Sequence, residues 1–164
     1  MKRIWNYFFY STWYVQLNLG EILIRRPIYF IMLTLFPFLG KNLHLGQKNY
    51  DRVMNNKDFG LNIGFAFGLM FLTTMVIYTC ICLLLVKLLN LEVEDNIYYY
   101  FFSVVGLSYS TNYLLLYRAD NYKKYFEAFE KINNRPLICF SAVLFHLAII
   151  GLGIFSIYLT SGKN

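Results

Sequence analysis

Polar and apolar positions alternate along this chain in blocks rather than in fine periods. Three long stretches, residues 59–86, 96–117 and 136–162, contain no Asp, Glu, Lys or Arg and run to 28, 22 and 27 residues. A helix needs about 20 apolar residues to cross ~30 Å of hydrocarbon, so each stretch is long enough to span a bilayer. The pattern therefore predicts an all-α integral membrane protein with three transmembrane helices.

The remaining blocks are shorter and read differently. Residues 1–26 gather Trp5, Tyr7, Phe8, Phe9, Tyr10, Trp13 and Tyr14 among Asn6, Ser11, Thr12 and Gln16, behind Lys2 and Arg3. Amphipathic rings beside cations favour the headgroup level, so this region is expected to form an interfacial helix on the inner leaflet. The same rings could instead pack against the bundle. Residues 27–40 are apolar but number only 14 and are interrupted by Pro37. At 1.5 Å per residue they reach about 21 Å, which predicts a short re-entrant or in-plane segment, with a fourth crossing as the alternative. Residues 118–135 place Tyr122, Tyr125, Phe126, Phe129 and Ile132 at helical spacing against a charged face, the mark of an amphipathic cytoplasmic helix. Its aromatic stripe could lie on the leaflet, pack under the bundle or receive a partner helix.

Charge then orients the chain. Of the 15 Lys and Arg residues, 13 fall on one side if the three long stretches cross; only Lys87 and Lys163 fall on the other. Lys and Arg concentrate on the cytoplasmic side, so the N-terminus is expected inside and the C-terminus outside, in the plasma membrane, or the inner membrane of a prokaryote. A crossing by residues 27–40 would weaken that split to 9 against 6. The net charge of +6 is thereby accounted for by orientation, and nucleic acid is not the expected partner. With 58% hydrophobic and 15% charged residues in a chain of 164, there is room for one membrane domain and no separate soluble one.

Candidate chemistry inside the spans is sparse. Gly60, Gly64 and Gly68 recur every four residues, a glycine zipper whose face lets another backbone approach, within the bundle or from a second subunit. Ser103, Gly106 and Ser110 form a small-residue face on the second stretch, expected to meet protein. Ser108 and Asn112, one turn apart, are candidates for a polar path or for interhelical hydrogen bonds, and an amide in hydrocarbon demands a partner. His146 is the one side chain in these stretches that titrates near neutrality, and so a candidate gate or a hydrogen-bonded packing group. Arg25, Arg26, Lys123, Lys124 and Lys131 are expected to face anionic lipid or a cytoplasmic partner. Cys80, Cys82 and Cys139 lack ligand-like spacing, and no phosphate-binding or nucleophile motif occurs, so neither metal, cofactor nor catalytic residue is expected.

Two classes of function follow, both non-enzymatic and both resting on helix–helix assembly. The first is a homo-oligomeric channel or pore-type effector with a basic cytoplasmic regulatory face. The second is a non-conducting accessory or scaffold subunit of a larger membrane complex. A lipid-modifying enzyme would need carboxylates gathered at the interface, and the acids near one, Asp51, Asp58, Glu92, Glu94 and Asp95, are scattered over two connectors.

Overall fold

The structure is a computed structural model describing residues 1–27, 30, 48, 50–58, 60–89, 97–118, 121–132 and 134–161. Among the described residues it is all-helical, without strands. Five helices carry it: α1 (Lys2–Gly20), α2 (Leu61–Leu89), α3 (Ile97–Asn112), α4 (Asn121–Glu130) and α5 (Arg135–Ser161). π-helical turns prolong α1 over Glu21–Arg25 and α3 over Tyr113–Tyr117. Two helices, α2 and α5, are long and apolar enough to cross a membrane. The segment 27–40 lies outside the described residues apart from Pro27 and Phe30, as does the whole of the 90–96 connector.

Local chemistry sets the helix ends. Asn56 builds the turn before α2: its side-chain oxygen accepts the Asp58 N–H at 2.7 Å and its carbonyl accepts the Gly60 N–H at 2.8 Å. The Gly60 carbonyl then accepts the amides of Ile63 and Gly64, which opens the helix. A Cβ at Gly60 would collide with the Asn56 backbone, so this glycine serves a tight turn and not the zipper face expected of it. At α5, the Asn134 side chain accepts the Leu137 N–H at 3.3 Å, a cap that lets Pro136 sit where its missing N–H costs nothing. The Lys87 ammonium donates to the Leu159 carbonyl near the end of α5, where terminal carbonyls lack helical partners.

α2 is the hub. α5 runs parallel to it, with Thr73 beside His146, Val76 beside Gly153 and Cys80 beside Leu152. α3 runs antiparallel, pairing Thr74 with Asn112 and placing Ile97 to Val104 along Met75 to Val86. At Gly153 the helices come so close that an added Cβ would stand 3.2 Å from Val76 Cγ1.

α1 does not lie apart as a surface anchor. It packs on α2, α5 and α4, and its course is antiparallel to α2: Gly20 neighbours Asn62, while Met1, Ile4 and Trp5 neighbour Ile77 and Ile81. The cause is its aromatic face. Phe9, Tyr10 and Trp13 are buried against Phe126, Phe129 and Tyr122 of α4, so each amphipathic helix covers the other's rings. The α4 stripe is thus filled from within the chain as far as Phe129, with Ile132 left exposed beyond the helix end.

Candidate functional site

The buried polar side chains collect where α1, α2, α3 and α5 meet, in two nodes on adjacent residues of α2. At the first node His146 lies between two helices: Nε2 is 2.9 Å from Thr12 Oγ1 of α1 and Nδ1 is 3.2 Å from Thr73 Oγ1 of α2. Both hydroxyls also reach the carbonyl one turn back, Thr12 to Phe8 and Thr73 to Leu69, each at 2.8 Å. A carbonyl only accepts, and a neutral imidazole has one N–H, so three hydrogens serve four contacts. One threonine therefore donates to the ring instead of to its own helix. The released carbonyl still holds its helical N–H, so the exchange leaves nothing unsatisfied.

The second node centres on Asn112, fully buried on α3. Its amide donates to Thr74 Oγ1 at 2.7 Å and to the Ser108 carbonyl at 2.9 Å, while Oδ1 accepts the Trp5 indole N–H at 3.4 Å. Asn6 of α1 donates at 3.0 Å to the Leu115 carbonyl, and Tyr78 and Thr111 share a hydrogen bond of 2.6 Å. Ser141 adds a contact from α5 to Tyr7 and Ser11. The two nodes tie four helices together with neutral groups. No carboxylate or cation enters either of them among the described residues, and no three metal-binding side chains cluster there.

The residues singled out in the sequence separate into three groups. Asn112, Ser108 and His146 turn inward; the first and last sit in the nodes, and the Ser108 hydroxyl is buried without a described partner. The face of Ser103, Gly106 and Ser110, expected against protein, is exposed because α3 turns Val104, Ser108 and Asn112 toward the bundle instead. Gly64 and Gly68 likewise point away from the bundle, with no described atom within 4 Å of where a Cβ would stand. Among the cations, Lys124, Lys131 and Arg26 are exposed, but Lys123 pairs with Asp58 at 2.6 Å, and Lys57 with Glu130 at 2.6 Å fastens the same helix. Lys123 is thus part of the seam between α4 and the turn before α2. Arg25 falls in the π turn after α1, its side chain outside the described set.

Thr12, Thr73, Thr74 and Trp5 were not among the expected site residues. The signal was present: Thr73 and Thr74 are adjacent hydroxyls in the middle of an apolar helix, where polar atoms need partners. Two grooves accompany the nodes, one of about 390 Å³ between α2 and α3 and one of about 360 Å³ between α1, α2 and α3. Both are lined mainly by aliphatic and aromatic side chains, and the second also takes in Trp5, Thr74, Tyr78 and Thr111 of the second node. Comparison with family models, with curated proteins and with solved structures finds no match to this chain.

Proposed function

We propose that this chain is a non-conducting membrane subunit that works by helix–helix assembly, docking the open face of α2 onto another membrane helix. The observation that carries this reading is the outward aspect of Gly64 and Gly68, which have no covering side chain among the described residues. In lipid, close backbone approach over small residues is a main source of helix association. The polar groups that a conducting path would need are engaged instead in joining α1, α2, α3 and α5 to one another. On this reading α2, α3 with its π turn, and α5 cross the plasma membrane, and the side rich in Lys and Arg, with α4, faces the cytoplasm.

The test is the mass and composition of the protein purified in mild detergent, beside Gly64→Leu. A complex larger than one chain that Gly64→Leu dissociates is expected; a monomeric wild-type protein would overturn the reading. Planar-bilayer recordings of the pure protein should stay silent, and steady conductance would restore the homo-oligomeric channel. Thiols introduced as Leu45→Cys and Glu92→Cys should react from outside only at position 92.

A further inference from the structure

In α1, sequence and position pull against each other. Lys2 and Arg3 lie in its first turn, both exposed. Met1, Ile4 and Trp5 of the same turn share a groove with Ile77, Tyr78 and Ile81 of α2. Ile77 stands about 24 Å along α2 from Leu61 and about 18 Å from Leu89, so the two cations flank the middle of a helix read here as crossing the bilayer. No acidic side chain pairs with either among the described residues. Charge at that depth, facing lipid, is among the most unfavourable arrangements a bilayer permits.

Neutral contacts hold the helix there nonetheless. Thr12 meets His146, the Trp5 indole meets Asn112, Asn6 meets the Leu115 carbonyl, and the rings of Phe9, Tyr10 and Trp13 seat against α4. All of these contacts lie on one helix and could part together, while α2 keeps its own contacts with α3 and with α5. Outside the bundle, α1 has the make-up of an interfacial helix: cations for anionic headgroups and Trp and Tyr rings for the headgroup level.

We infer that α1 is a releasable helix, docked in this structure and able to swing onto an anionic leaflet, with the Thr12–His146–Thr73 contact as its latch. The inference rests on α2 and α5 crossing the membrane. Release exposes the aromatic face of α4 and the α1 side of α2 and α5, so a docked and a released protein present different surfaces to a partner.

The experiment reads two thiols in vesicles containing phosphatidylglycerol and open to a membrane-impermeant maleimide on both sides. One reporter is Ser11→Cys, at a buried position of α1, with the three native cysteines changed to Ala. The other is native Cys80, buried between α2 and α5, with Cys82 and Cys139 changed to Ala. His146→Phe and Thr12→Val should each speed labelling of the Ser11→Cys thiol at least tenfold. Lys2→Gln with Arg3→Gln should slow it at least tenfold, and Cys80 should stay protected throughout. Unchanged rates at position 11, faster labelling on removing the cations, or both reporters opening together would overturn the inference. Extraction of the protein by an alkaline wash would overturn the membrane reading with it, whereas retention with unresponsive rates overturns the releasable helix alone.

Discussion

Replacing Phe126 by Ala should be the most damaging single change where α4 packs on α1. The ring is 1% exposed and meets four others: Phe9, Tyr10, Trp13 and Tyr122, with centroids 5.0 to 5.7 Å away. Pairs at such distances contribute about 0.5–1.5 kcal/mol each beyond their buried area. The four terms overlap with ordinary burial, so the total is bounded by the ~3–5 kcal/mol measured for Phe→Ala in packed cores. The ion pairs of Lys57 with Glu130 and Lys123 with Asp58 cannot compensate. Their side chains are 39% to 58% exposed, and pairs of that kind contribute at most about 1 kcal/mol. Trp13 is a built-in reporter, 5.1 Å from Phe126 and one of only two tryptophans. Denaturant unfolding followed by tryptophan fluorescence, in a Trp5→Phe background, should lose about 3–5 kcal/mol for Phe126→Ala and about 1–1.5 kcal/mol for Phe126→Leu. A loss below about 1 kcal/mol for Phe126→Ala would refute the claim that aromatic packing, and not the ion pairs, holds α4 under α1.

Asn112→Leu removes the bond to Thr74 and leaves the half-buried Trp5 indole N–H without its acceptor, so a loss of about 2 kcal/mol is expected in thermal unfolding, and a neutral result would discount the node. Gly60→Ala should destabilise, because the new Cβ meets backbone atoms of Asn56 that cannot move aside. Gly64→Ala should instead stabilise the isolated chain by up to about 1 kcal/mol, since no described atom stands within 4 Å of the new Cβ and Ala is the better helix former; equal effects at the two sites would contradict their different roles. Burial, with the Glu130 carboxylate second, pushes the Tyr10 phenol up to about 12 from an ordinary 10.0. The folded protein thus keeps a proton that the unfolded chain sheds, and the contribution of Tyr10 is fully present below pH 10 and lost as pH rises toward 12. Ultraviolet titration of phenolate absorbance, wild type minus Tyr10→Phe, should show that late ionisation, and a difference titrating at 10 would refute it.

How far these features could be read from the sequence depended on the solvent each segment meets. α4 was legible because it lies between water and protein: Tyr122, Phe126 and Phe129 stand on one side, Lys124 and Glu127 on the other, and the structure buries the first set and exposes the second. Its partner could not be read, since the rings of α1 suit a headgroup layer and a neighbouring aromatic helix equally well. On the proposed membrane reading, the pattern loses its power altogether inside α2, α3 and α5. Where lipid and protein interior are both apolar, Leu72 facing out and Met70 facing in obey the same preference, and periodicity cannot tell the faces apart. Only polar atoms keep a direction there, because each must find a partner, and so Asn112 and His146 could be marked as inward while the threonines that complete them were passed over. Small residues have no such obligation. Gly153 sits in a close helix contact and Gly64 meets no described neighbour, yet both are glycines in apolar helices, and only the packing around them separates the two. A glycine pattern in a membrane helix therefore states that an approach is permitted, and the identity of the approaching surface has to come from elsewhere.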